Sequence, residues 1–445
     1  MTTVAPTTPT GPTLLENSEY RRWLVGDLLL TLGSAIGVFA FPLITLAATG
    51  SLAATGMVGL IEGVGSLVGM VPGGLLADRV ERRRLRLLAG TTGMLMQAVL
   101  IAVLLAGWAS FPVLGAIAFL DRFRGALLGS ASDAMLKQIV PPVQLPRAFA
   151  VNEGRDAAVE LISGPIGGVL VGVALICPPL ARLLGNLGSV LATVAMRGRY
   201  RPRAEGAAAT RVRDDLREAV AWSVSQPIRL QLLGVAIAVN LGSNGLILTV
   251  LLRLADEGVP AGRIGLLNTA LAASILVGAV LAPRLVDRVP TGVLGIVPVL
   301  VMAGIAVYVP FAPGMIAIGM AYLVMGLGLA PLNAATQGFF MHITPVAMQG
   351  RINSLMGLVS MGLMPLAPAL AGWGLSLVGP VPTMLTFAVI TALGAASALL
   401  GRDFRRVPVA ARWEEFARDE GLAPVEDGGG ADEAEVHSEH EISEQ

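Results

Sequence analysis

The sequence predicts an all-α polytopic membrane protein with twelve transmembrane helices in two six-helix halves. Of the 445 residues, 54% are hydrophobic and 14% are charged, and the mean hydropathy is +0.72. This composition excludes a soluble protein of this size. Because a spanning helix needs roughly 20 apolar residues, an apolar core of about 380 residues has room for roughly a dozen spans.

Loop charges alternate along the chain, and this alternation predicts the topology. Arginines follow span two and fill the linker between the halves: Arg79, Arg82, Arg83, Arg84 and Arg86, then Arg197, Arg199, Arg201, Arg203, Arg211, Arg213 and Arg217. The loops near 48–53, 107–110, 312–314 and 376–380 contain no Lys or Arg. Only the loop after span seven departs from this pattern, with Arg253 and Arg263. Because basic loops stay in the cytoplasm, we expect both termini on the cytoplasmic side of the inner cell membrane.

The first half is expected to follow a short tail. Residues 1–17 are rich in Thr and Pro and have no apolar face, which predicts disorder. They do not match a secretory signal, because no basic segment precedes an apolar core. The half itself covers 18–196, with spans at about 23–47, 54–77, 87–106, 111–136, 148–176 and 178–196. Span six is the weakest, since Arg182 and Asn186 interrupt it.

Residues 197–228 are expected to form a cytoplasmic linker. Leu216, Val220 and Val224 recur every four residues, which predicts an amphipathic helix lying on the inner leaflet. The second half covers 229–402, with spans at about 231–252, 262–283, 291–311, 315–340, 348–376 and 380–401. Residues 403–445 turn polar and then acidic without periodicity, so we expect a largely disordered cytoplasmic tail.

Short motifs recur at corresponding places in the two halves. Ala77-Asp78-Arg79-Val80 ends span two, and Val286-Asp287-Arg288-Val289 ends span eight. A proline-containing segment follows span four at 140–145 and span ten at 343–348. Two parallel six-helix repeats explain this arrangement.

The loop after span two also carries a family signature. Gly74, Asp78, Arg79, Arg82 and Arg83 are spaced as in the loop between helices two and three of the major facilitator superfamily, with Glu81 in place of the usual glycine. The chain resembles that superfamily over residues 18–402. It is most similar to the drug and siderophore exporter branch, which includes enterobactin and macrolide efflux proteins, through residues 20–24, 32–34, 77–79, 82–84, 141–142, 145–148 and 350–354.

This resemblance implies the major facilitator fold and a secondary active transporter. It implies a small-molecule substrate, the proton gradient as energy source, no cofactor and a monomer that functions in the lipid bilayer. It also implies a gating loop in which Asp78 meets the start of span eleven, with Asp287 and Arg288 at the matching place in the second half. The antiporter motif of span five is half present, since Gly164-Pro165 precedes a glycine pair, Gly167-Gly168, one residue early.

Charged side chains inside the first half are candidates for proton coupling, because burying one in the membrane costs at least about 2.5 kcal/mol on insertion scales. They are Asp27, Glu62, Asp121, Arg124, Asp156 and Glu160. Arg124 and Glu160 lie at similar depth, which predicts a coupling pair in which Arg124 alternates between Glu160 and Asp121.

The surroundings of these charges are left open by the sequence. Glu153, Asp156 and Glu160 share one face of span five, which fits either a cavity lining or an interhelix ion-pair network. Glu62 has no obvious partner in its own span. Asp27, Asp133 and Lys137 lie close enough to helix ends for us to expect them to be solvated.

The spans of the second half contain neutral polar groups in place of charges. Asn240, Asn244, Asn333, Gln337 and Asn353 are candidates for a substrate cavity. This asymmetry suggests a division of labour, with ion coupling in the first half and substrate contact shared by the second. The single cysteine, Cys177, and the single histidine outside the tail, His342, leave almost nothing for a metal site.

These observations favour proton-coupled export of small amphipathic organic molecules. The alternative is a transporter of the same fold that imports or exchanges a polar metabolite. A membrane enzyme or a sensor is disfavoured, because the sequence has no Walker loop, nucleophile elbow or paired histidine ligands. Nothing in the sequence suggests a nucleic-acid partner.

Overall fold

The protein is built from long α-helices joined by short connections. A computed structural model describes residues 14–129, 131–198, 200, 212–345, 348–349, 352 and 362–422, and this part of the chain contains no strand. Nine of its helices are long and apolar enough to cross a membrane. The chain is therefore a multi-pass membrane protein.

The first half provides seven helices. They are α1 (Ser18–Thr49), α2 (Leu52–Arg79), α3 (Arg82–Leu105), α4 (Phe111–Gly129), α5 (Ala131–Ile139), α6 (Leu145–Val173) and α7 (Cys177–Ala195). Local signals set their ends. The Asn17 side chain accepts a hydrogen bond of 3.0 Å from the Glu19 amide at the start of α1, and Gly50, at φ 62°, ends this helix. Expected span four corresponds to α4 and α5.

The linker and second half provide nine more helices within the described residues. They are α8 (Val212–Val224), α9 (Pro227–Asp256), α10 (Ala261–Arg288), α11 (Thr291–Tyr308), α12 (Met315–His342), α13 (Leu366–Leu377), α14 (Pro380–Leu400), α15 (Arg402–Arg406) and α16 (Trp413–Asp419). The expected spans one to three, five to ten and twelve all coincide with helices, with ends that differ by a few residues.

The nine helices that are long and apolar enough to cross a membrane do not include α4, α7 and α13, for different reasons. Helix α4 contains three charged residues, Asp121, Arg122 and Arg124, and α7 is interrupted by Arg182 and Asn186. Helix α13 has 12 residues and is the described part of expected span eleven. With these three helices, the structure agrees with the expected twelve spans.

The two halves contain different cores. The second half is built around one continuous apolar cluster, in which Val299, Phe387 and Phe404 are fully buried. The first half has smaller apolar clusters, for example around Trp23 and around Leu114, and it buries charged side chains between them.

The halves meet at one end of the bundle. We call the end with the loop between α2 and α3 the basic end, and the opposite end the far end. Near the far end, Gly56 of α2 lies against Pro368 and Gly372 of α13, and a Cβ added to Gly56 would lie 2.3 Å from the Pro368 carbonyl oxygen. Gly168 of α6 approaches Ala261 of α10 as closely. These glycines let the backbones touch, and the far end is closed.

An apolar cluster reinforces this closure. Leu46 at the end of α1 packs with Leu252 of α9 and Leu375 of α13. A hydrogen bond also joins the halves, from the Thr269 hydroxyl to the Leu161 carbonyl oxygen at 2.8 Å. Within the described residues, the halves are therefore held together by packing and by this neutral hydrogen bond, and these interactions can separate without exposing a buried charge.

The segment after the last span differs from the expected disordered tail. Within 403–422, Phe404 is fully buried, and Leu422 is 3% exposed. The Trp413 indole nitrogen donates a hydrogen bond to the Thr291 hydroxyl at 2.9 Å, and its ring packs against Phe339. The sequence expectation fails here because a few large apolar residues are enough to anchor a polar segment. Residues 423–445 lie outside the described part.

The linker is fixed to both halves. At its start, the Tyr200 hydroxyl donates a hydrogen bond to the Glu19 carboxylate at 2.7 Å, and burial together with this bond raises the pKa of Tyr200. At its end, the Trp222 ring of α8 lies edge-on against Phe340, with ring centroids 5.7 Å apart. Val220 and Val224 remain exposed, which leaves an apolar stripe directed away from the bundle. Its predicted contact with the inner leaflet stays a prediction.

Candidate functional site

The candidate site is a cavity of about 470 Å³ between the two halves. Helices α1, α2, α4 and α6 line it on one side, and α9, α10 and α13 line it on the other. Its wall is mostly apolar, with Val38, Phe39, Phe41, Ile247 and Leu251 among the lining residues. The polar lining residues include Glu62, Arg122, Glu160, Asn244 and Asn268. A cavity of this size, with an apolar wall and few polar groups, is typical of a small-molecule site.

One ion pair forms part of the cavity wall. The Arg122 guanidinium on α4 donates a hydrogen bond to the Glu62 carboxylate on α2. No partner for Glu62 could be identified within its own span, because that partner lies on another helix. The pair leaves Glu62 and Arg122 facing the cavity as a neutral unit.

A second ionic cluster lies behind this wall. Asp121 is 6% exposed. It contacts Arg124 at 2.5 Å and Arg182 of α7 at 2.6 Å. A small space of about 20 Å³ lies between this cluster and the Glu62–Arg122 pair, and residues of both line it. Arg182, which interrupts the apolar sequence of span six, therefore links α7 to α4 through its ion pair with Asp121.

A third cluster joins four helices closer to the basic end. The Asp27 carboxylate on α1 contacts Arg155 of α6 at 2.6 Å and Arg86 of α3 at 3.5 Å, and it accepts a hydrogen bond from Ser132 of α5. Asp27 is 7% exposed, so the expectation that it is solvated is wrong. Asp27 is buried by side chains of neighbouring helices, and the sequence of α1 alone does not contain this information. Arg155 also binds Asp156 at 2.8 Å.

Glu160 differs from the other acidic candidates. It lines the cavity from α6, and no described residue forms an ion pair or hydrogen bond with its carboxylate. Its predicted partner, Arg124, is bound instead to Asp121 and to the Ala89 carbonyl oxygen. The structure therefore contains one half of the predicted alternation, Arg124 on Asp121, and the exchange with Glu160 stays a prediction.

Of the amide side chains predicted for the substrate cavity, the structure places only some of the described ones in the cavity lining. Asn244 lines the cavity. Asn240 donates its amide hydrogen to the Ala236 carbonyl oxygen, while Asn333 and Gln337 are exposed and lie outside the cavity lining. Asn353 lies outside the described residues. Asn268 of α10 was missed, although a polar residue in the middle of an apolar span was the available signal.

The predicted gating loop lies at the basic end. Gly74 and Arg79 are exposed in α2, and Asp287 and Arg288 are exposed at the end of α10. Arg83 donates hydrogen bonds to the Thr193 and Val194 carbonyl oxygens at the end of α7, and the Arg82 amide donates to the Tyr200 carbonyl oxygen at 3.0 Å. The side chain of Asp78 and most of the segment before α13 are not among the described residues, so the latch stays a prediction.

No protein-family model and no curated protein matches the sequence. Solved structures do. The fold matches a mutant of the nucleoside transporter NupG with a TM-score of 0.69 at 12% identity, over 86% of this chain and 99% of that one. It matches a bacterial homologue of the iron transporter ferroportin in the inward-facing state with a TM-score of 0.64 at 20% identity, over 91% of this chain and all of the other.

A third match is a bacterial homologue of the lysosomal transporter Spinster, inward-facing and unoccupied. It gives a TM-score of 0.60 at 16% identity, over 94% of this chain and 100% of that one. The outward-facing ferroportin homologue gives a lower TM-score, 0.56. At these identities the matches show the fold, and this chain has the major facilitator fold of two helical halves.

Proposed function

We propose that the protein is a secondary active transporter that exports small amphipathic organic molecules in exchange for protons. The proposal rests on the cavity of about 470 Å³ that both halves line. A mostly apolar wall with a few charged and amide groups suits a molecule that has an apolar body and a polar part. The fold shared with known transporters supports this proposal.

Alternating access explains the arrangement of the contacts between the halves. In the described residues, glycine packing and the leucine cluster close the far end. Rocking of one half against the other would separate these surfaces and expose the cavity to the opposite side. The higher similarity to the inward-facing than to the outward-facing ferroportin homologue, 0.64 against 0.56, supports an inward-facing state for this structure.

Glu160 is the proposed site of proton binding. Asp27, Asp121, Asp156 and Glu62 are each bound to at least one arginine, so protonating any of them would break an ion pair. Glu160 can accept a proton from the cavity without that cost. Its ionised form is also the one most affected when rocking removes water from the cavity.

Substrate-stimulated proton flux in proteoliposomes tests the proposal. Protein is reconstituted with a pH-sensitive dye inside the vesicles, and a panel of antibiotics, dyes and siderophores is added. We expect at least one compound to drive proton movement, and Glu160→Gln to abolish the pH dependence of its transport. Glu153→Gln is the matched control, because Glu153 is an exposed carboxylate two turns earlier on α6.

Two results would overturn parts of this proposal. If no compound moves protons while radiolabelled compounds still accumulate, transport is not proton-coupled. If Glu160→Gln transports with unchanged pH dependence, the coupling group lies elsewhere, and Glu62 becomes the next candidate because it also faces the cavity.

Import or exchange of a polar metabolite is the second candidate function. The match to a nucleoside transporter favours it, and Asn244 and Asn268 could bind a polar molecule through their amides. The direction of net flux along an imposed proton gradient in the same vesicles separates the two functions. Uptake together with protons would indicate import.

A further inference from the structure

With its carboxylates ionised, the described lining of the cavity has one more negative than positive charge. Its charged lining residues are Glu62, Arg122 and Glu160. Arg122 is bound to Glu62, and no described residue forms an ion pair with Glu160. Arg124 and Arg182 bind Asp121. Among the described residues, the side of the cavity formed by the second half adds amides and no charge.

Several polar groups of the cavity lining can accept hydrogen bonds. The hydroxyls of Thr45, Thr55 and Ser163 donate to nearby backbone carbonyl oxygens, so their lone pairs remain available as acceptors. Asn244 donates its amide hydrogen to the Asn240 carbonyl oxygen at 2.8 Å, which leaves its side-chain oxygen available. With the Glu160 carboxylate, these groups match a ligand that donates hydrogen bonds.

A metal ion is a poor match for this lining. The described residues contain no group of three or more His, Cys, Asp or Glu side chains that could hold a metal. In the described lining, the carboxylates are those of Glu62 and Glu160, and Glu62 is bound to Arg122. An anion is also a poor match, because it would face an unpaired carboxylate. A cation with an apolar body satisfies both the charge and the apolar wall, including the aromatic rings of Phe39 and Phe41.

We propose that the central cavity binds organic cations, with the cationic group at the Glu160 carboxylate and the apolar body against α1 and α9. This inference rests on the proposed function and names its substrate class. Because Glu160 is also the proposed proton site, a bound cation and a bound proton exclude each other. Exchange of one for the other then follows from competition for one carboxylate.

Two probes of equal shape and opposite charge test the charge selectivity. Tetraphenylphosphonium is a cation, tetraphenylborate is an anion, and both present four phenyl rings. Binding of each radiolabelled probe to the purified full-length protein is measured by equilibrium dialysis. We expect specific binding of the cation and at least about tenfold weaker binding of the anion, a difference of the size that one charge-assisted contact produces.

Glu160→Gln should weaken binding of the cation by about tenfold or more and leave the anion no weaker, because it removes the charge and keeps the shape. Glu160→Asp should retain the preference for the cation, and Glu153→Gln should bind like the unmodified protein. Thermal unfolding in detergent checks that each variant is folded. The preference of the unmodified protein for one probe needs no variant, so it stays informative if Glu160→Gln does not fold.

Equal binding of both probes, or cation binding that survives Glu160→Gln, would overturn the inference. Displacement of the cation by micromolar Mn²⁺ would overturn it in favour of a metal site. These results are separate from the transport assay. Glu160-dependent cation binding without proton flux would retain the inference and remove proton-coupled transport, whereas proton flux driven only by neutral compounds would retain proton-coupled transport and overturn the inference.

Discussion

The two halves of the molecule share a helical plan and are stabilised in different ways. In the first half, three ionic clusters join helices: α1 with α3, α5 and α6, then α4 with α7, then α2 with α4. In the second half, a single apolar core performs that task. Packing depends on shape and tolerates similar shapes, whereas a buried ion pair demands its exact partner.

This difference bears on mechanism. Buried ion pairs cost desolvation energy, and a well-packed apolar group of similar volume often replaces them without loss of stability. If the first half needed only rigidity, an apolar core like that of the second half could therefore replace its ion pairs. The charges of the first half suggest the division of labour that the sequence predicted, and mutations can test whether that division exists.

The largest expected effect is the loss of Asp121. Asp121→Ala leaves Arg124 and Arg182 without their carboxylate in the interior of the first half, and removing one member of a buried ionic cluster costs roughly 3 to 5 kcal/mol. We expect little folded protein, measured as the monodisperse fraction in detergent and by thermal unfolding. The matched change in the second half is Asn333→Ala, at an exposed amide, which should leave stability within about 0.5 kcal/mol.

If Asp121→Ala folds normally, the ionic cluster is not what holds α4 and α7 together. The contrast between the halves would then be a matter of composition only. A second variant, Asp121→Asn, keeps the shape and separates loss of charge from loss of packing.

Much of the helical plan could be predicted from the sequence, because span length and loop charge are local properties. The partners of the buried charges could not. Asp27, Glu62 and Asp121 each bind arginines on other helices, and helix rotation and pairing decide those contacts. Counting residues along the spans predicts similar depths in the membrane for Arg124 and Glu160. Depth alone does not determine toward which neighbouring helix each side chain is directed. The folded segment after the last span was missed because its anchors, Phe404, Trp413 and Leu422, are spread through polar sequence.

The second prediction concerns the closed far end, where the halves meet. Gly56→Val adds a side chain at a position where even a Cβ would lie 2.3 Å from the Pro368 carbonyl oxygen. The variant should therefore prevent closure and strongly reduce transport. Closure is measured by disulfide cross-linking of Leu46→Cys with Leu375→Cys in a Cys177→Ser background. Gly172→Val is the control, because Gly172 lies at the same end with open space around it. Undiminished cross-linking in Gly56→Val would show that the helices adjust.

The third prediction asks whether the Glu62–Arg122 pair acts as a unit. Glu62→Gln and Arg122→Gln each leave a charge unpaired at the cavity wall, and each should destabilise the protein. The double variant should recover part of that loss, with a coupling of about 0.5 to 3 kcal/mol. A double-mutant cycle on thermal unfolding measures it. Additive effects would mean that water in the cavity already solvates both groups.

A smaller effect is expected at the predicted latch in the basic loop. A carboxylate near a helix N-terminus contributes about 0.3 to 2 kcal/mol, so Asp78→Asn should lower the transport rate by less than about thirtyfold and leave substrate affinity nearly unchanged. Initial rates and half-saturation concentrations in vesicles separate these quantities. Normal rates in Asp78→Asn would remove the latch role.

The smallest expected effect comes from shortening the chain after the second half. Leu422 is 3% exposed and its amide donates a hydrogen bond to the Ala417 carbonyl oxygen at 2.7 Å, so the described segment is packed up to this residue. Removal of 423–445 should change neither the amount of folded protein nor transport, because these residues are acidic and have few apolar side chains.

A cut after Arg412 removes Trp413 and Leu422 and should lower the unfolding temperature, since the Trp413 contacts with Thr291 and Phe339 are lost. Equal stability after both truncations would show that the apolar core of the second half does not depend on this segment. Loss of transport after removal of 423–445, at unchanged stability, would assign the acidic tail a role in activity.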